Sequence, residues 1–239
     1  MIVDVFIPCY IDQFYPNVAE CTIKILEKVG CGVNYNPEQT CCGQPAFNAG
    51  LHDTCKEVGE KFIKDFSGEN YIVVPSASCV GMVKNYFPEF FVNSLLHHEY
   101  SRIRKNIFEL SDFLVNVLKV TNIGGRLDGK AVLHQSCAAL REIKKTEEAK
   151  ILLTNVRGLQ LIEIKNAEDC CGFGGTFSIK NSAIASGMGM DKLNALKEVN
   201  ADYFISTDSS CLMHLSSLAR KNELKIKFLH LAEALANNI

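Results

Sequence analysis

Cys170-Cys171-Gly172-Phe173-Gly174-Gly175 closes a cysteine pattern that the chain has already used once, at Cys41-Cys42-Gly43. Working outward, the first copy runs Cys9, Cys41-Cys42-Gly43, Cys79, and the second runs Cys137, Cys170-Cys171-Gly172, Cys211. Thirty-one residues separate Cys9 from Cys41 and thirty-two separate Cys137 from Cys170. Thirty-six lie between Cys42 and Cys79, and thirty-nine between Cys171 and Cys211. A three-part pattern repeated with so little slippage marks two homologous halves. The junction falls near Thr121-Asn122-Ile123-Gly124-Gly125, which divides the chain into residues 1–124 and 125–239.

The residues before each lone cysteine set the fold class. Val3 to Pro8 precede Cys9, and Ala131 to Ser136 precede Cys137. Tyr71 to Ser78 precede Cys79, and Tyr203 to Ser210 precede Cys211. These are short β-prone runs, the last two ending in small polar residues, as strands do. Helical periodicity falls between them, over Val18 to Val29, Thr54 to Phe66, Glu147 to Val156 and Ala183 to Val199. A further helix is expected over Asn106 to Val120, capped by Ser111 or Asp112. Alternating strands and helices predict an α/β protein of two Rossmann-like halves with parallel sheets, related by a pseudo-twofold. Ligands of such sheets sit beyond the carboxyl ends of the strands, where Cys9, Cys79, Cys137 and Cys211 fall.

Bulk composition narrows the chemistry. The 239 residues are 47% hydrophobic, enough for a real core. Twenty-five basic against 27 acidic side chains offer no electrostatic footprint for nucleic acid. No apolar run approaches the roughly 20 residues of a spanning helix, and the N-terminus lacks a basic leader, so no membrane insertion is expected. A cytoplasmic protein is expected, one that partners could hold at the inner membrane. Eleven cysteines in such a chain point to metal or redox chemistry rather than to disulfide staples.

Each half offers four thiols, the number a cubane iron–sulfur cluster takes. These are Cys9, Cys41, Cys42 and Cys79, then Cys137, Cys170, Cys171 and Cys211, which allows up to two [4Fe-4S] clusters per chain. Side chains of neighbouring residues diverge on a regular strand, so the backbone must turn at each Cys-Cys pair. Gly43 and Gly172 supply that turn, and Gly174 and Gly175 extend it into a concavity of amides suited to an anionic cluster. Phe173 would shield the cluster or simply fill the core. Zinc is the competing metal, although it commonly takes cysteines from short paired knuckles. A non-catalytic scaffold subunit holding zinc or one cluster, and thiol–disulfide exchange, are the alternative readings. The run Gly172-Phe173-Gly174-Gly175 lacks the order of a dinucleotide fingerprint.

Other residues invite roles. Cys21, Cys31 and Cys55 have no counterpart in the repeat and read as small buried hydrophobes. His134 and His214 lie three residues from Cys137 and Cys211 and could donate to sulfide, shuttle protons or serve the fold. Arg141 and Arg157 read as exposed charges, His97-His98-Glu99 as a solvated segment, and Met188 and Met190 as gap-filling side chains.

Cys41-Cys42-Gly43-Gln44-Pro45-Ala46, Pro75 to Cys79, Cys170 to Ser178 and Cys211-Leu212-Met213 together resemble the cysteine-rich CCG domain family. That family includes the B subunit of heterodisulfide reductase and iron–sulfur subunits of glycolate-, glycerol-3-phosphate- and lactate-oxidising systems. The resemblance is greatest to the lactate-utilising members. It implies an oxidoreductase subunit of a multi-protein system that oxidises L-lactate to pyruvate, with a ferredoxin-type iron–sulfur subunit and a third small subunit as partners. It implies a quinone or similar final acceptor. Fuller CCG domains end in Cys-x-x-Cys, and the B subunit of heterodisulfide reductase uses five cysteines per half for a non-cubane cluster. Here Ser76 and Asp208 stand at the fifth position and read as caps, which favours four-thiolate cubane sites over disulfide cleavage.

Overall fold

The computed structural model describes residues 1–165 and 167–239. The first half contains β1 (Ile2–Val5), β2 (Gly32–Tyr35), β3 (Tyr71–Val74) and β4 (Ile107–Glu109), ordered β2-β1-β3-β4. The second contains β5 (Arg126–His134), β6 (Arg157–Leu161), β7 (Tyr203–Ser206) and β8 (Lys227–His230), ordered β6-β5-β7-β8. Every pairing is parallel, and Val3 opposes Tyr71 as Ala131 opposes Tyr203. The expected α/β class and the two parallel-sheet halves are therefore present.

The central strands explain themselves. Val3, Val5, Ile72, Val73 and Val74 are all buried, as a parallel strand covered by helices on both faces requires. In each half the chain runs from the first strand to one neighbour and then crosses to the other. The order therefore reverses between β1 and β3, and between β5 and β7. These are the topological switch points, and the cysteines that follow β1, β3, β5 and β7 gather there.

The helices follow the apolar periodicity. Pro16–Lys28 starts on a proline, whose missing N–H costs nothing in the first turn, and buries Val18, Ile25 and Leu26. His52–Asp65, Glu147–Thr154 and Ser182–Val199 lie within two residues of their expected bounds. Asn200 ends the last of these in the left-handed conformation. His97-His98-Glu99 is the first turn of a helix, His97–Asn106, with His98 exposed.

One expectation fails. Asn106 to Val120 is not a single helix. Ile107–Glu109 pairs with β3 as strand β4, and helical structure resumes at Leu110–Asp112 and Phe113–Val117. The cap is Glu109, whose carboxylate accepts from the Ser111 and Asp112 amides, rather than Ser111 or Asp112. Three residues carry too little alternation to announce a strand, and the sheet edge that selects it is made by distant residues.

The halves are interlocked. The helix Leu231–Ala236 of the second half packs on Pro16–Lys28 of the first, and Leu110–Asp112 of the first packs on Glu147–Thr154 of the second. One core thus joins both halves through Val18, Ile25, Phe113, Leu152, Leu231 and Leu235, all nearly inaccessible. The exchange recurs at the switch points. Cys9–Phe14 packs on Ser209–Lys221, and Ala77–Gly81 packs on the helical turn Ala138–Glu142. Gly81 permits the second contact, because a Cβ there would lie 2.9 Å from Glu142 Cβ.

Candidate metal centre

Four of the eight repeat cysteines stand at helix starts. Cys9 opens the helix Cys9–Phe14, and Cys137 immediately precedes Ala138–Glu142. Cys79 and Cys211 sit in the first turns of Ala77–Gly81 and Ser209–Lys221. Cys41 and Cys42 lie on the loop after β2. Gln39 secures that loop to the end of β1, accepting from the Ile7 amide at 2.7 Å and donating to the Val5 carbonyl at 3.3 Å.

The turns at the paired cysteines take the expected form. Gly43 has φ of +83° and Gly172 of +90°. Each turns its amide back, so that Gly43 N–H donates to Cys41 Sγ and Gly172 N–H to Cys170 Sγ, both at 3.4 Å. A Cβ at Gly172 would lie 2.5 Å from the Ala185 carbonyl, so no other residue fits without displacement. Gly174 and Gly175 also have positive φ and line the cavity.

In the first half Cys9 Sγ lies 3.6 Å from Cys41 Sγ, and Cys42 Sγ lies 3.3 Å from Cys79 Sγ. In the second, Cys171 Sγ lies 3.0 Å from Cys211 Sγ. All are free thiols. Their electrostatics repeat between halves. Hydrogen bonds from Cys42 and Cys9 push the Cys41 thiol down to about 3, and bonds from Cys137 and Cys171 push Cys170 down to about 2. The donating thiols Cys9, Cys42, Cys137 and Cys171 are raised by the same contacts and by burial. In each quartet the first cysteine of the Cys-Cys pair is thus the thiol most readily ionised, at the expense of the thiols that donate to it.

The interlocked helices have a consequence for the site. Both quartets line one cavity of about 190 Å³ at the junction of the halves, rather than two separate crevices. Tyr10 and Phe173, one from each half, meet edge to face across it at 5.7 Å. Phe173 thus contributes to the cavity wall.

Beneath the cysteines the two positions read as caps behave differently. Ser76 does cap its helix, accepting from the Cys79 amide at 3.4 Å. Asp208 stands at the equivalent place, but its carboxylate crosses to the other half. It accepts from Ser76 Oγ at 2.9 Å and the Ser78 amide at 3.0 Å, and from Ser136 Oγ of its own half at 2.5 Å. Asp208 thus holds the N-cap position of Ser209–Lys221 as expected, but its carboxylate makes no hydrogen bond to the amides of that helix.

The remaining candidates divide. His134 is buried, and its nearest ring nitrogen, Cys171 Sγ and Cys211 Sγ all lie within 4.8 Å of one another. Burial lowers its pKa to about 3, which keeps the ring neutral. His214 instead shares a 3.1 Å hydrogen bond with the Ala185 carbonyl, a structural contact. Cys21, Cys31 and Cys55 are buried in the cores as expected. Arg141 and Arg157 are exposed and line no part of the cavity. Met188 and Met190 are half-buried, and Met190 Sδ accepts from Asn222. Lys192 escaped the motif reading, because a lysine on an amphipathic helix reads as solvated. It is 1% exposed and donates to the Ala167 carbonyl at 3.1 Å.

A duplicated, thiol-lined cavity at the switch points of two interlocked parallel sheets defines a cysteine-rich domain pair. The cysteine-rich domain model (CCG) matches residues 3–84 and 131–216, one span in each half. The chain belongs to this family. It is similar to lactate utilization protein A of Geobacillus thermodenitrificans, 40% identical over 235 residues that cover 98% of each chain. It is also similar to lactate utilization protein A of Halalkalibacterium halodurans, 41% identical over 98% of this chain and 96% of that one. The protein of that name from Anoxybacillus flavithermus is 38% identical over 98% of this chain and 99% of that one. No helix among the described residues is long and apolar enough to cross a membrane.

Proposed function

We propose that the chain is the iron–sulfur electron-transfer subunit of a multi-protein system that oxidises L-lactate to pyruvate. The observation that carries this reading is the convergence of two cysteine quartets, each with an amide-turning glycine, on one cavity. Cys9, Cys41, Cys42 and Cys79 would hold one [4Fe-4S] cluster, and Cys137, Cys170, Cys171 and Cys211 the other. The donor set fits: four thiols per site, with the Gly43 and Gly172 amides directed at sulfur. When bound, such clusters supply one-electron redox chemistry. The chain's own residues hold the thiolates, orient them from helix starts and exclude water with Tyr10 and Phe173. The lactate assignment rests on likeness to relatives named lactate utilization protein A. Partners fitting this reading are a ferredoxin-type iron–sulfur subunit and a third small subunit, which would exchange electrons at the cavity mouth.

Iron and acid-labile sulfide in anaerobically prepared protein test the reading. About eight of each per chain are expected. Cys42→Ala and Cys171→Ala should each lose half and leave the other half's low-temperature paramagnetic resonance signal intact. A protein that takes only zinc, or whose activity with its partners survives complete removal of iron, overturns it.

A further inference from the structure

The two halves share their cysteines but differ behind them. Phe6 and His134 each stand three positions before the lone cysteine of their half, at Cys9 and Cys137. Phe62 and Lys192 form a second equivalent pair. The space over Gly43 is closed by Cys55 and that over Gly172 by Ala185, and Phe62 and Lys192 each follow seven positions later, 55 to 62 and 185 to 192. In the first half Phe6 and Phe62 pack edge to face at 5.0 Å, with Phe66 at 5.7 Å from Phe6. The second half replaces this aromatic wall with an imidazole and a buried ammonium.

His134 lies beside the second quartet, a ring nitrogen within 4.8 Å of Cys171 Sγ and Cys211 Sγ, and Lys192 is buried behind it on the carbonyl of Ala167, three residues before Cys170. Neither ring nitrogen of His134 makes a hydrogen bond of normal geometry among the described residues, although the side chain is 1% exposed; burial lowers its pKa, and the nearby Ala167 backbone acts weakly against that shift. An unmade buried hydrogen bond costs about 1–3 kcal/mol, so the ring is suited to a partner that the site itself supplies. Lys192 is held by the Ala167 carbonyl; burial lowers its pKa, and attraction to Asp169, Cys171, Cys211 and Cys170 opposes that shift and favours the ammonium. Asp169, which also acts on Lys192, is exposed and screened by solvent. Asp208, held by the hydroxyls of Ser76 and Ser136, acts in the opposite sense at the second site, where it raises Cys137.

We propose that the two sites are electrically inequivalent, with His134 and Lys192 setting the second site at the higher reduction potential. Building on the iron–sulfur reading above, a buried cation and an imidazole N–H beside Cys171 and Cys211 would stabilise the more negative, reduced state, whereas a phenylalanine wall does neither. Electrons delivered by the partner subunits would then run from the first site to the second. One electron oxidises the donor site and reduces the acceptor site, and no bond forms or breaks. His134 and Lys192 are positioning residues in this scheme and are not ligands.

Anaerobic redox titration of the whole chain, followed by low-temperature paramagnetic resonance, tests the proposal. Wild type should show two midpoints at least tenfold apart in reduction equilibrium constant, about 59 mV for one electron. Cys42→Ala should retain the upper midpoint and Cys171→Ala the lower. Lys192→Met should lower the upper midpoint by at least tenfold and leave the lower in place, while Lys192→Arg keeps both. His134→Phe should shift the upper midpoint in the same direction. If the buried variants do not fold, the order of midpoints in wild type and the two cysteine variants decides alone. Coincident or reversed midpoints, or an iron-replete Lys192→Met with an unchanged titration, overturn the inference and spare the cluster assignment. A protein without iron overturns both.

Discussion

The Asp208 carboxylate of the second half accepts a hydrogen bond from the Ser76 hydroxyl of the first at 2.9 Å. The two residues hold equivalent places, each three positions before the last cysteine of its copy. A duplicated position has thus diverged into a donor and an acceptor that join the copies beneath the cavity. Both side chains are buried, at 5% and 1% exposure, so neither can exchange its partner for water.

Asp208→Ala should therefore leave Ser76, Ser136 and the Ser78 amide without their acceptor. A loss of about 2–4 kcal/mol is expected, against about 1 kcal/mol for Ser76→Ala. Urea unfolding of the cluster-free single and double variants should give a coupling energy above about 0.5 kcal/mol. Strict additivity would show that the bond joins nothing.

Glu109 carries a pH dependence. Burial raises its carboxyl from 4.5 to about 8, while hydrogen bonds from Ser111 and Asp112 oppose the shift. The folded state thus binds the proton more tightly than the unfolded chain. Its contribution is fully present below about pH 4.5 and is lost as pH rises through about 8. Glu109→Gln cannot ionise and should flatten this decline. Melting temperatures at pH 5 and pH 8.5 should converge in the variant relative to wild type.

The glycine turns should fail unequally. Gly172→Ala sets a methyl 2.5 Å from the Ala185 carbonyl at φ of +90°, whereas Gly43→Ala meets the Cys55 sulfur at 3.2 Å. Backbone cannot yield as a side chain can. Gly172→Ala should cost about 2–3 kcal/mol and abolish iron uptake by the second quartet, and Gly43→Ala should cost about 1 kcal/mol less. Iron per chain and denaturant midpoints for both variants provide the check.

Cys55 is wholly buried against Gly43 and belongs to no quartet. Cys55→Ala should destabilise the fold by about 1–2 kcal/mol with iron and sulfide stoichiometry unchanged. Loss of one quartet's iron in this variant would make Cys55 a ligand.

The sequence alone determined that the protein is doubled, that its sheets are parallel and which eight thiols form the repeating set. These follow from spacing and from apolar runs such as Tyr71–Val74, which act over a few residues and need no partner to be read. The strand Ile107–Glu109, the crossing of Asp208 to Ser76, the burial of Lys192 and the merging of both quartets into one cavity were decided by the tertiary structure. Each depends on residues far apart in the chain, and in two cases those residues lie in opposite halves. Packing of Leu231–Ala236 on Pro16–Lys28 draws the switch points together, and no local propensity encodes that contact. The duplicated pattern names the eight thiols, and the interlocked helices bring them to one cavity.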